Sequence, residues 1–303
     1  MQLKSTGFIF QAVVSIAMKL IKTNLSLGAC VITLQLFFTA LSLCFAQEEY
    51  AKIHFIDVGQ GDAVLIQSQG ENALIDTGNV LSGYKLTDYL NKNNVQTINH
   101  LIITHHHYDH IMGTFFIMPR FNVEKTYDNG YNPANPDDPA FSSFERIFRL
   151  EGKYRALKKR DIIRLGGLRL EVIWPADKPI SGDFNQDSLV IMLNRKKFSC
   201  LLAGDINNAA ETELIKEKTN LRADIIKIAH HGAGGSTSED FLKEVQPKSA
   251  IISVDSNFQS SYPAESILTL LKANNIKIYR TDRNGSVIIK VTDEGDYTLH
   301  TEK

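Results

Sequence analysis

Between residues 50 and 303 the hydrophobic positions fall into two patterns: apolar runs of strand length, and longer stretches with helical spacing. KIHFIDV (52–58), AVLIQ (63–67) and NALID (72–76) predict three consecutive strands separated by glycine-containing turns. Helical spacing follows over 85–93, and HLIITH (100–105) predicts a buried strand running into a histidine cluster. NGYNPANPDDPA (129–140) reads as a loop bordering a cleft, and 141–157 as an amphipathic helix. The second half repeats this grammar. LRLEVIW (168–174), SLVIMLN (188–194) and FSCLLAG (198–204) predict strands, with a helix over 207–218. ADIIKIAHH (223–231) predicts a strand entering a glycine-rich turn, with a helix from Ser238. SAIISV (249–254), a helix over 263–274 and strands at 276–280, 286–291 and 296–300 complete the pattern, with Asn284–Gly285 expected as a hairpin turn. Strands in both halves with interspersed helices predict an α/β fold of two packed sheets with helices outside, a four-layer αβ/βα sandwich. No linker-like stretch divides residues 47–303, which are therefore expected to form one domain.

Residues 1–46 differ. Positions 25–46 carry no charged side chain, Lys19 and Lys22 precede them, and the first acidic residue is Glu48. This predicts a secretory signal cleaved after Ala46, with Met18 as an alternative start; the competing expectation is an uncleaved membrane anchor through 25–46. Either places the protein outside the cytoplasm, secreted or periplasmic and at the cell envelope. The composition, 43% hydrophobic and 22% charged, excludes a disordered chain or a repeat array. Formal net charge is −1 over the whole chain and −4 without residues 1–46, which hold three Lys and no acid. No global field draws the protein to nucleic acid or an anionic membrane, although bound metal ions would supply local positive charge. Beyond residue 46 the one thiol is Cys200, in an apolar run, so no internal disulfide is expected and the thiol should be buried.

Histidine carries the strongest chemical signal. Six of the nine fall in two clusters, at 105–110 and 230–231. The first, T-H-H-H-Y-D-H, follows an apolar strand and contains H-x-H-x-D-H. Alternate residues of an extended segment point the same way, so His105 and His107 can grip one metal ion while Asp109 and His110 turn toward a second. Asp205 follows another buried run, where a carboxylate can bridge two ions. His230–His231 end a third strand; at least one should complete the second ion's ligands, and the other is available to bond substrate. Imidazole and carboxylate suit zinc or manganese, with iron also accommodated. The turn HGAGGSTSE leads into a helix start capped by Ser236, Thr237 or Ser238, where free N–H groups can hold phosphate; an ordinary capped helix explains the cap equally well.

With these residues in view the chain resembles the metallo-β-lactamase superfamily, and within it the ComEC/Rec2 competence branch. The likeness is carried by FIDVGQGDAVLIQ (55–67), ALIDTG (73–78), LIITHHHYDH (101–110), SLVIML (188–193), LLAGDI (201–206), IKIAHHGAGGSTSEDFL (226–242), AIISVDSN (250–257) and IYRTDRNGSVII (278–289), in the family's order. The resemblance implies a free-standing, exported form of the competence protein's hydrolase domain with two divalent metal ions. It implies that Asp76 orients a ligand histidine, and that Asp57, Gln60 and Asp62 of the DVGQGD signature lie beside the site, Asp57 and Asp62 as catalytic candidates. Where many superfamily members carry a further histidine this chain has FNQDSLV, in which Asn185 or Asp187 could fill the gap. NFQSSYP (257–263) lacks the Gly and His typical of the branch, and Tyr262 occupies the place of that histidine. The expected activity is hydrolysis by metal-activated water, positioned or deprotonated by Asp109. The expected partner is a phosphodiester, either nucleic acid or a smaller ester. The alternatives are a lactam, lactone or thioester hydrolase and a non-catalytic, metal-stabilised binding module.

Overall fold

The computed structural model describes residues 50–130, 138–175, 183–255, 257 and 261–303, together with Gln35. The expected signal or anchor at 1–46 and the centre of the 129–140 loop lie outside the described residues.

Tyr50–Lys303 form a compact unit built on two mixed sheets. The first contains β1 (Tyr50–Phe55), β2 (Val64–Ser68), β3 (Glu71–Ile75), β4 (Thr97–Ile102), β5 (Asn122–Asp128) and β6 (Tyr154–Ala156), and is completed by the C-terminal strands β14 (Val287–Thr292) and β15 (Tyr297–Thr301). Its order is β15-β14-β1-β2-β3-β4-β5-β6. The second contains β7 (Ile162–Leu165), β8 (Leu168–Trp174), β9 (Val190–Arg195), β10 (Phe198–Leu202), β11 (Ile225–Lys227), β12 (Ser249–Ile252) and β13 (Lys277–Arg280), in the order β13-β12-β11-β10-β9-β8-β7. Pairing is parallel from β3 to β6 and from β10 to β13, so the loops at one end of those strands gather on one rim.

Strand alternation explains the layers. Ile53 and Phe55 of β1, Ile191 and Leu193 of β9, and Cys200 of β10 point into a core between the sheets. The outward residues Val190, Met192 and Leu201 pack with helices Asn208–Lys216, Glu239–Val245 and Glu265–Ala273. Leu65, Leu74 and Leu101 of the first sheet pack outward with Leu86 and Leu90 of helix Gly83–Lys92 and with Phe141, Phe144 and Phe148 of helix Pro139–Phe148. Each such side chain, buried to within a few per cent, contributes about 1.5–3 kcal/mol of transfer free energy. Helix, sheet, sheet, helix is the predicted four-layer sandwich. Cys200 is buried, and burial pushes its thiol pKa up.

Some elements differ from their sequence reading. The helix expected over 141–157 ends at Phe148; Gly152 turns the chain at φ +77°, and β6 follows. Asn284–Gly285 does not join a hairpin, because β13 and β14 belong to different sheets. Instead Thr281–Asn284 form one helical turn, Asn284 Oδ1 accepts from Arg280 N at 2.9 Å, and Gly285 at φ +65° passes the chain from the second sheet to the first.

Candidate metal centre

The ligand-type residues sit on loops at the strand ends of that rim. β4 stops at Ile102, and the next turn lifts His105 and His107 before helix Tyr108–Ile111 brings back Asp109 and His110. Asp205 follows β10 from the other sheet. His230 and His231 follow β11 in the turn Ala229–Gly232, both in the left-handed region at φ +50° and +54°, strained values that this packing holds in place. Gly61 is required by close approach: at φ +121°, a Cβ there would stand 2.2 Å from the Asp109 carbonyl oxygen.

Three imidazoles converge on one carboxylate oxygen. Asp205 Oδ2 is faced by His110 Nε2 at 3.2 Å, His231 Nε2 at 3.4 Å and His105 Nε2 at 3.8 Å. His107 Nδ1 lies 3.0 Å from His105 Nε2, and Asp109 Oδ2 lies 3.2 Å from His231 Nε2. The far side of two rings is anchored. His110 Nδ1 donates to Asp76 Oδ2 at 2.9 Å, and His231 Nδ1 donates to the Ser253 carbonyl at 2.9 Å, which turns both Nε2 atoms inward toward Asp205. Asp76 is itself fixed by Thr104, whose N–H and hydroxyl donate at 2.7 and 2.8 Å.

The field here favours cations. Burial opposes a charged imidazole, yet the carboxylates of Asp205 and Asp76 push His110 well above the usual histidine range, and those of Asp205 and Asp109 raise His231 to about 10. Burial alone would lift Asp205, but His231 and His110 hold it far below the carboxylate range. His105 and His107, more strongly governed by burial and by the neighbouring His110, are pushed down and are neutral donors. Asp205 Oδ1 and His231 Nε2 are buried without a hydrogen bond. Four overlapping trios, each with ligand atoms within 4.8 Å of one another, draw on His105, His110, His231, Asp62, Asp76, Asp109 and Asp205. Imidazole and carboxylate atoms left bare in an anionic, buried pocket fit divalent zinc or manganese.

A cavity of about 300 Å³ opens beside this cluster, lined by Gln60, Asn79, Tyr108, Asp109, His230, His231 and Tyr262. His230 and His231 thereby separate: His231 joins the cluster, while His230 faces the cavity with its ring 5.9 Å from that of Tyr262. Burial pushes His230 down and Tyr262 up, so both are neutral there. Gln60 lines the wall and its Oε1 accepts from Asp255 N at 3.3 Å. Asn185 lies within hydrogen-bonding reach of His107; Asp187 is buried, its carbonyl accepting from Asn129 at 2.8 Å.

Several expected contacts are engaged elsewhere. Asp57 is drawn to Lys85 at 2.9 Å and accepts from Gly59 N, bracing its own loop outside the cavity lining. Asp62 is 3% exposed and ion-paired with Lys227, too enclosed to meet a substrate directly. In the turn after His231 two of the N–H groups expected to hold phosphate are taken: those of Thr237 and Ser238 donate to the buried carboxylate of Glu211, the latter at 2.8 Å. Ser236 Oγ donates to the Ala229 and Ala233 carbonyls, and Ser238 Oγ caps the helix at Phe241 N. The chain supplies its own anion where phosphate was expected. Sequence reasoning passed over Lys227, Glu211 and His106; the last turns away from the cluster to Asp128 at 3.1 Å among Phe141, Phe144 and Phe184.

The profile of the metallo-beta-lactamase superfamily matches residues 56–256, the span that carries all of these ligand-type residues. The chain belongs to this superfamily. Among curated relatives of this metallo-β-lactamase-fold chain, ComE operon protein 3 of Bacillus subtilis (strain 168) is 30% identical over 264 residues, 80% of this chain and 33% of that protein. Competence protein ComA of Neisseria gonorrhoeae is 26% identical over 246 residues, 79% of this chain and 32% of that protein. The chain thus spans about a third of the length of the curated relatives it matches. Among solved structures, CmlA, a diiron β-hydroxylase from Streptomyces venezuelae, superposes with a TM-score of 0.53 at 15% identity, covering 80% of this chain and 54% of that one. That likeness is one of fold, and it agrees with the two-sheet architecture described above.

Proposed function

We propose that this metallo-β-lactamase-fold protein is an exported two-metal hydrolase of phosphodiesters. The observation that carries the reading is the convergence of His105, His110 and His231 on Asp205 Oδ2, with His107 and Asp109 at its edges and an open cavity alongside. His105, His107 and Asp205 would hold one ion, and Asp109, His110, His231 and Asp205 the other. Bound there, two divalent ions would activate water near neutral pH and stabilise charge developing on the phosphoryl oxygens.

The residues divide the remaining work. Asp109 is the cluster's most accessible carboxylate, its side chain 29% exposed toward the cavity, and it orients the attacking water or takes its proton. Asp76 and the Ser253 carbonyl hold the His110 and His231 tautomers. Gln60 Nε2 would meet a bound ester, Asn79 braces that wall by bonding the Gln60 carbonyl and the N–H groups of Leu81 and Ser82, and the paired rings of His230 and Tyr262 would receive the leaving group. The competence-type signatures FIDVGQGDAVLIQ (55–67) and IKIAHHGAGGSTSEDFL (226–242) favour a phosphodiester over a lactam.

Metal analysis of purified protein, joined to assays on bis-(p-nitrophenyl) phosphate, single-stranded DNA and nitrocefin after stripping and reloading with zinc or manganese, tests the proposal. Turnover of the phosphodiesters should need metal and fall about 100-fold or more in Asp109→Ala. Metal-dependent cleavage of nitrocefin alone would replace this reading with lactam hydrolysis. N-terminal sequencing of the protein recovered outside the cytoplasm, starting at Gln47, tests export.

A further inference from the structure

We propose that Lys227 is a resident cation of the metal centre, which, paired with Asp62 beneath the ligand cluster, sets the net charge that the loaded site presents to an anionic substrate. The proposal rests on the two-metal reading above.

Lys227 ends β11 on the face shared with Ile225, which points into the core between the sheets. Its ammonium therefore crosses toward the first sheet, where Nζ meets Asp62 Oδ2 at 2.5 Å, with the side chains 2% and 5% exposed. A lysine buried this deeply stays charged only beside carboxylates, and Asp62, Asp205 and Asp76 together overcome its desolvation. The pair is tied into the site: Asp62 N–H donates to the Asp109 carbonyl at 3.3 Å, and its own carbonyl accepts from Gly78 N at 2.8 Å.

Charge counting gives the consequence. The carboxylates Asp62, Asp76, Asp109 and Asp205 carry four negative charges, which two divalent ions cancel, while ligand histidines are neutral. Lys227 then leaves the loaded centre, while its water is still neutral, with one positive charge, which favours arrival of a phosphodiester anion. Without it the metal-free cluster would attract cations more strongly and the loaded one would attract anions less. Lys227 trades metal affinity against anion affinity.

The test compares wild type, K227M, D62N and the D62N/K227M double variant by zinc affinity, measured in competition with a chelator, and by inorganic phosphate affinity of the zinc-loaded proteins, measured by calorimetry. K227M should bind zinc about tenfold more tightly and phosphate about tenfold more weakly; D62N should do the reverse; the double variant should return both near wild type. Zinc and phosphate affinities that fall together in each single variant would mean a purely structural ion pair and would overturn the proposal, as would unchanged phosphate binding in K227M. Should K227M fail to fold, D62N and the double variant still differ by one charge and carry the same comparison. Wild-type protein that takes up fewer than two zinc ions would refute the two-metal reading first, and this proposal with it.

Discussion

Asp76 Oδ2 stands 2.9 Å from His110 Nδ1, and this single bond decides which nitrogen of the imidazole turns toward Asp205. In Asp76→Ala the ring loses its acceptor and its fixed tautomer. Metal affinity should fall about 10–100-fold while the remaining ligands stay in place. Chelator competition on the purified variant checks this; unchanged affinity would show that His110 is held by packing alone.

The three consecutive histidines should separate by experiment. His105 and His107 face the cluster, whereas His106 faces Asp128 inside an aromatic pocket. His105→Ala should lower the bound metal with little change in the melting temperature of metal-free protein. His106→Ala should keep the metal and cost about 2–4 kcal/mol, because it leaves a cavity and strips Asp128 of a buried partner. Elemental analysis and thermal unfolding of metal-free protein distinguish the two.

Glu211 closes the turn that carries His231 onward into its helix. Glu211→Ala would leave the buried N–H of Thr237 and the half-buried N–H of Ser238 without an acceptor, at a cost of about 2–3 kcal/mol in urea unfolding. Glu211→Gln retains one carbonyl acceptor and should fall between. Equal stability of all three proteins would show that water replaces the carboxylate readily.

His54 provides a pH dependence remote from the centre. Burial, reinforced by Lys52 and Lys290, pushes its pKa from 6.5 down to about 4. The native imidazole is neutral, so between pH 6.5 and 4 the unfolded chain binds the extra proton. This part of the stability is complete above about pH 6.5 and disappears as pH falls toward 4, a total of about 3 kcal/mol. His54→Gln keeps a partner for the Tyr89 hydroxyl, which lies 2.9 Å away, and should flatten stability over that window in denaturant titrations. A slope equal to wild type would contradict the assignment.

Period-two alternation and the two histidine clusters carried most of the fold and the candidate ligands, because buried strands and metal ligands both impose short-range spacing. Long-range pairings left no such trace. Lys227 reads as an ordinary polar break in IIKIA, and nothing near it in sequence names Asp62 as its partner. Glu211 looks like a helix-surface acid until folding carries it under Thr237. β5 leaves little trace in the sequence because Glu124 and Lys125 mask its alternation, and the amphipathic spacing over 141–157 overruns the helix because Gly152 is one weak signal within it. His230 and His231 are identical in type and adjacent; only their left-handed backbone sends them to different places.

The order β15-β14-β1 has a temporal meaning. A ribosome delivers β1 long before β14, and in between one border of β1 has nothing to pair with. Every ligand-type residue, up to His231, is synthesised before that border is filled by Val287–Thr292. A nascent chain, or one clipped before Val287, would thus own the whole coordinating set while lacking the strand that seals the sheet beneath it.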